Sequence, residues 1–427
     1  MTASWLFLLV SLVGAGFTLS ALVPGRKLGH LVVPYFFGSW LTSELAVHHV
    51  AWQALASAGF AYYGALEYWP GMLGLALTLA SWWGLIMLQR RAALAPAVLD
   101  AALREGLGDQ YRTVITPEKL GDLADRVRVR RIARPFHMRD RRVEIVRNLP
   151  YGDAGRRNQL DVYRPAGGAA RCPVLLQIHG GAWVLGQKQQ QGLPLMYRMA
   201  SRGWVCVAPN YRLSPRATFP DHLIDVKRAL AWVRRHGAEY GADPDFVVVT
   251  GGSAGGHLCS LLALTANEPG LQPGFEDVDT SVAAAVPFYG VYDFLDRLGV
   301  RGRAAMAPFL ERLVMKCSPV ADRERWEQAS PVTRVHAGAP PFFVIHGTHD
   351  SLAFVEEARH FVAELRRVSR SPVLYAELPG AQHAFEVFHS FRSAHAVDAV
   401  CWFGEHVYAA YLTARGREDE IAAGGAG

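Results

Sequence analysis

Lysine is scarce in this chain. It stands only at positions 27, 119, 188, 227 and 316, so the net charge of +6 at pH 7 rests on arginine. No stretch interleaves aromatic and basic residues as a nucleic-acid-binding module does, which removes that class of partner. The five cysteines, at 172, 206, 259, 317 and 401, are odd in number and include no Cys-x-x-Cys pair. That spacing excludes a zinc ribbon and argues for buried free thiols over a disulfide framework. Neither a metal nor an organic cofactor is expected. Also missing is a basic segment ahead of the first apolar run, or a small-x-small site behind it, as a cleaved signal peptide requires.

Long apolar runs, by contrast, fill residues 1–90, which are expected to form a transmembrane helical region. Residues 5–23 carry no charge and match the ~20 residues needed to cross a bilayer. Residues 71–88 form another such run, with Trp69, Trp82 and Trp83 beside or within it. Between them, residues 31–63 are apolar but carry Glu44, His48 and His49. We read one long, partly polar helix there, giving three spans; two short helices, giving four, is the alternative. Arg26-Lys27 and Arg90-Arg91 follow the first and last spans. Three spans place both basic ends, and everything after them, in the cytoplasm by the positive-inside bias. Glu44 and His48, four residues apart, share a helix face and suit interhelical hydrogen bonding better than a two-ligand metal site.

Residues 91–142 read as a basic connector that could add to a cap over the catalytic site. Residues 90–110 have helical periodicity, and Thr116-Pro117 resembles a helix start. Arginines follow at 126, 128, 130, 131, 134, 139, 141 and 142. Two readings stand: a surface for anionic headgroups, or a solvated face partly paired with Asp122, Asp125 and Asp140. From residue 143 to 415, short β-rich runs alternate with helical ones, the pattern of a mainly parallel sheet flanked by helices. Strands are expected near 143–149, 159–164, 174–178, 204–208, 246–250, 282–288, 342–346 and 373–378. Helices are expected over 192–202, 221–239, 353–368 and 394–412, with an irregular insertion at 290–335. The Gly/Ala/Glu-rich tail, 416–427, is expected to be disordered.

The catalytic segment is organised around Gly251-Gly252-Ser253-Ala254-Gly255-Gly256, preceded by a β-branched run and followed by a helical one. Strand, Gly-x-Ser-x-Gly turn and helix together spell a nucleophile elbow. A serine hydroxyl needs a base to take its proton, and the base needs an acid to fix its tautomer. His383 follows the last strand and Asp350 follows the strand before it, giving the order Ser, Asp, His. Asp293 is the runner-up acid. The Ala254 amide and the side-chain-free backbone of Gly180 and Gly181 offer donors for a tetrahedral oxyanion. His179 reads as a prop for that loop, and His346 and His349 as supporting residues around the acid. Trp183, Phe219, Tyr289 and Phe294 are candidate walls of an acyl pocket.

Further motifs make a resemblance specific. His179-Gly180-Gly181-Ala182-Trp183, Asn210-Tyr211-Arg212-Leu213, Phe219-Pro220, Trp232, Asp243-Pro244 and Gly252-Ser253-Ala254-Gly255-Gly256 resemble the hormone-sensitive-lipase-like carboxylesterases. The likeness runs from about Tyr151 to the final helix. It implies an α/β-hydrolase fold, a Ser253–His383–Asp350 triad, and Gly180, Gly181 and Ala254 as oxyanion donors. The chain departs from the pattern at Gly252, where most members have Asp, and in the acidic pattern after Asp350, near Glu356 and Glu357.

The expected activity is hydrolysis of short- to medium-chain acyl esters, small molecules or lipids, by a serine carboxylesterase held at a membrane. An amidase or formamidase of the same fold is the alternative, separated only by protonation of an amine leaving group. A non-catalytic membrane scaffold is disfavoured, because every expected triad and oxyanion residue is present.

Overall fold

Apolar helices come first in the chain, and a mixed α/β segment follows. In a computed structural model, described over residues 1–25, 31–115, 129–168, 170–301 and 306–424, the first part folds as α1 (Thr2–Leu22), α2 (Val32–Glu44), α3 (Ala46–Tyr62) and α4 (Trp69–Ala92). Helix α5 (Ala95–Leu107) comes next. Helices α1 and α4 run parallel. Ser11 Oγ meets Thr78 Oγ1 at 3.0 Å, Thr18 Oγ1 meets Ser81 Oγ at 2.8 Å, and Arg91 donates to the Leu22 carbonyl. Helix α3 runs against both: Phe60, near its end, stacks on Phe7, while Ala46, at its start, packs with Ala21, Leu85 and Leu88. Small and hydroxyl side chains let these backbones approach, and a Cβ at Gly84 would lie 2.6 Å from Thr18 Cγ2. The outward faces are apolar, with Trp52, Leu55, Leu79 and Trp83 all exposed. Two helical stretches, Thr2–Leu22 and Trp69–Leu107, are long and apolar enough to cross a membrane.

The single long helix expected over residues 31–63 is not formed. The chain turns at Leu45 (φ −110°, ψ 29°), leaving helices of 13 and 17 residues. Glu44 points into the catalytic domain, where it pairs with Arg392 at 2.7 Å. Glu44 and His48 are therefore divided between two helices. Arg26-Lys27, Thr116-Pro117, Asp122, Asp125, Arg126 and Arg128 lie outside the described residues.

Eight strands follow: β1 (Val143–Pro150), β2 (Gln159–Pro165), β3 (Cys172–Ile178), β4 (Val205–Pro209), β5 (Ala242–Gly252), β6 (Ala284–Phe288), β7 (Phe342–Gly347) and β8 (Val373–Leu378). They form one sheet in the order β1-β2-β4-β3-β5-β6-β7-β8. Strand β2 is antiparallel to both its neighbours, and the rest of the sheet is parallel. The helices of this part are α6 (Leu193–Ala200), α7 (Asp221–His236), α8 (Ala254–Leu264), α9 (Val355–Val368) and α10 (Phe391–Gly424). Strand β3 shows why both faces are covered. Val174, Leu176 and Ile178 enter one apolar layer with Leu223, Leu258 and Phe361, while Leu175 enters another with Leu103, Met196 and Val400. This is the α/β-hydrolase arrangement.

The last helix continues to Gly424, so the backbone over residues 416–424 is helical where disorder was expected. In the connector, α5 packs against β8 and α10. No described residue of 91–142 lines the cavity at Ser253.

Candidate active site

Ser253 stands at the junction of β5 and α8 with φ 59° and ψ −123°. A non-glycine residue there carries on the order of 1–3 kcal/mol of strain. Its neighbours hold it: the Ser253 amide donates to the Phe288 carbonyl at 3.0 Å, and the His257 amide donates to the Ser253 carbonyl at 2.9 Å. The loop after β3 crosses directly over this turn. A Cβ at Gly180 would lie 2.6 Å from the Gly252 carbonyl oxygen, so only glycine fits the approach.

The loops after β7 and β8 bring Asp350 and His383 together. His383 Nδ1 lies 2.7 Å from Asp350 Oδ2, and both side chains are buried. The other carboxylate oxygen, Oδ1, accepts from the amides of Leu352 and Ala353 at 2.9 and 2.8 Å. Burial alone would raise the Asp350 pKa, but His383 and His346 outweigh it and hold the group well below the usual carboxylate range. Ser253 and His383 both face one cavity of about 330 Å³.

His179 is buried and stacked on Tyr211, with ring centroids 4.3 Å apart, and burial lowers its pKa to about 4. It lies beneath the Gly180-Gly181 loop as a neutral ring. The Gly180 amide donates to Gln191 Oε1 at 2.6 Å. That amide is therefore engaged, and the donor role expected of Gly180 does not fit this geometry. The amides of Gly181 and Ala254 have no such partner among the described residues. His346 Nε2 lies 2.8 Å from the Ala353 carbonyl and 3.4 Å from Asp350 Oδ2, and the His349 amide donates to the Ala381 carbonyl at 3.0 Å. Asp293 is buried against the Arg297 amide and guanidinium, without a contact to His383.

Of the four candidate pocket walls, only Trp183 lines the cavity. Phe294 stands behind it, edge-on to the Trp183 ring and stacked on His257. Phe219 belongs to the core, where its amide donates to the Val314 carbonyl. Tyr289 packs 4.5 Å from the His383 ring and donates its hydroxyl to Glu386. It also fills the space beside Gly252, where a Cβ would lie 2.6 Å from the Tyr289 oxygen. A family aspartate at 252 has no room here. The remaining walls come from the insertion (Met306 and Phe309), the loop after Asp350, and Val32 and Val33 of α2.

Two side chains that the sequence reading missed complete the arrangement. His257 Nε2 lies 2.7 Å from the Ala329 carbonyl, and its Nδ1 accepts from the Trp183 indole at 3.2 Å, which fixes the pocket wall. Gln382 Oε1 accepts from the amides of Ser351 and His383 at 2.8 and 2.9 Å, linking the Asp350 loop to the His383 loop. Its position next to His383 was the only available signal.

Comparison with known proteins identifies esterases as relatives. The sequence profile of the BD-FAE family matches residues 160–365. The "Probable carboxylic ester hydrolase LipM" of Mycobacterium tuberculosis is 51% identical over 340 residues, which are 76% of each chain. This chain is a hormone-sensitive-lipase-like carboxylesterase. "Esterase LipQ" of the same organism is 43% identical over 329 residues, covering 76% of the carboxylesterase chain and 77% of its own. Among solved structures, a "Truncated form of carbohydrate esterase from gut microbiota" shares the fold at a TM-score of 0.52 and 22% identity. It covers 61% of the carboxylesterase chain and 96% of its own.

Proposed function

We propose that the carboxylesterase works through an acyl-enzyme on Ser253, with His383 as general base and Asp350 as its orienting acid. The observation that carries this reading is the 2.7 Å Asp350–His383 contact facing the same cavity as the strained serine. His383 takes the Ser253 proton as Oγ attacks the ester carbonyl, and the amides of Gly181 and Ala254 receive the developing oxyanion. Collapse expels the alcohol, protonated by His383. Water, deprotonated by the same imidazole, then releases the acid. Asp350 stays ionised throughout and favours the charged imidazolium.

The small apolar cavity supports short to medium acyl groups, about C2 to C8. Matched p-nitrophenyl esters and anilides, run with a fluorophosphonate label on the full chain, test the reading. Ester turnover should far exceed amide turnover, and specificity should fall beyond C8. A steady rise to C16, or turnover of the anilide alone, would replace it with a lipase or an amidase.

The carboxylesterase is proposed to sit at a membrane through α1, α3 and α4. Parallel packing of α1 and α4 needs a return crossing between them, which α3 supplies at roughly 25 Å of helix length. That odd count, with Arg90-Arg91 at the catalytic end, supports a cytoplasmic catalytic domain. A fluorescent protein fused after Gly424 should glow, and a periplasm-active phosphatase there should be silent. The reverse pair of signals would place the enzyme outside.

A further inference from the structure

Helix α2 packs on α1 within the apolar N-terminal region, where Tyr35 donates to the Ser20 carbonyl, and it also contacts the catalytic loops. His383 is flanked by two residues that α2 holds. On one side, Gln382 Nε2 donates to Ser39 Oγ at 2.8 Å, while Gln382 Oε1 accepts from the His383 amide. On the other, Trp40 Nε1 donates to the Ala384 carbonyl at 2.9 Å, and Ala384 itself has a positive φ of 61°. Phe36 stacks on Trp40 and meets the His383 ring edge-on at 6.0 Å.

The end of α2 is fastened as firmly. Glu44 pairs with Arg392, both side chains at most 1% exposed, and accepts from Ser390 at 2.7 Å. Arg392 also donates to the Pro379 carbonyl at the start of the His383 loop. Separating a buried pair of this kind leaves a charge without compensation, so α2 is a fixed wall and not a hinged cover. At its other end, Val32 and Val33 line the cavity that holds Ser253.

We propose that α2 is a working part of the active site. Ser39 and Trp40 act as positioning residues for the His383 loop, and Val32 and Val33 set acyl-chain selectivity. The inference rests on Ser253, His383 and Asp350 being the reacting groups. Displacing the imidazole by even 1 Å is enough to cost up to about 10²-fold in rate, and two hydrogen bonds from α2 resist such a shift.

The test uses the full chain in detergent, with p-nitrophenyl acetate and octanoate as probes, and follows thermal unfolding alongside kinetics. Trp40→Phe and Ser39→Ala should each lower kcat by roughly 10-fold for both esters at unchanged KM. Ser39→Thr, which keeps the hydroxyl, should recover most of the loss. Val33→Trp should lower the octanoate-to-acetate ratio of kcat/KM by about tenfold, a ratio that does not depend on the folded fraction. Wild-type kcat in both positioning variants, a kcat loss that simply tracks a lowered midpoint, or an unchanged ratio in Val33→Trp would each overturn the proposal. A wild type that neither labels with fluorophosphonate nor turns over either ester would instead remove the underlying assignment, and this inference with it.

Discussion

The N-terminal helices and the hydrolase domain are packed in opposite senses. In β3 the buried residues are Val174, Leu175, Leu176 and Ile178. In α4 the buried set includes Gly71, Gly74, Thr78, Ser81 and Gly84, while Leu79, Trp83 and Ile86 face outward. Water drives the first arrangement by expelling apolar surface. In the second, close backbone packing and hydroxyl pairs hold the helices together, which suits the membrane placement proposed above. The two parts are packed differently, and α2, which touches both α1 and the His383 loop, joins them.

The largest expected effect on this contrast lies in the hydrolase domain alone. Ser253→Ala should abolish ester turnover and fluorophosphonate labelling while leaving the unfolding midpoint unchanged, since one surface hydroxyl is lost. Persistent labelling would assign the nucleophile elsewhere. Next, Asp350→Asn should reduce kcat by about 10⁴-fold through the wrong imidazole tautomer, whereas Asp293→Asn should stay within roughly tenfold. Reversed magnitudes in steady-state kinetics would move the acid to Asp293.

Sequence legibility divides along the same line. The β-branched runs gave up all eight strands, because strand alternation and turn residues are local signals. That Asp350 and His383 meet was legible because each follows a strand of the sheet, as Ser253 does. The cavity walls could not, since Val32, Met306 and Phe309 are brought together by contacts hundreds of residues apart in some cases. Phe294 and Phe219 misled for the same reason: an aromatic near a motif has no local mark separating wall from core. The break at Leu45 was one of two open readings, because Arg392, which holds Glu44, lies at the far end of the chain. Glu44 was visible as an anomaly in an apolar run, but its partner was not.

A third prediction sharpens the contrast in packing. Leu176→Ala, in the centre of the sheet, should cost about 2–5 kcal/mol in denaturant unfolding of the solubilised chain. Leu79→Ala, on the outward face of α4, should change the same measurement by less than about 0.5 kcal/mol. Equal losses would mean that Leu79 is packed against protein.

The smallest expected effect is a pH dependence. Burial raises the Glu386 pKa to about 7, despite the hydrogen bond from Tyr289. Between roughly pH 4.5 and 7 the native state therefore keeps a proton that the unfolded chain releases, and stability falls as pH rises through that window. Glu386→Gln should flatten this part of the profile in thermal melts taken from pH 5 to 7.5. An identical slope in the variant would remove Glu386 as its source.

The pairing of Glu44 with Arg392 also sets an order of events during synthesis. The two residues are 348 positions apart, so α2 leaves the ribosome long before its partner exists. The apolar helices can settle first, while Glu44 and Trp40 wait without acceptors or donors. Only when the start of the last helix emerges can the loop carrying His383 be fastened. Contacts of such long sequence separation form late in folding. The loop carrying His383 therefore gains its contacts with α2 only after almost all of the chain has been made.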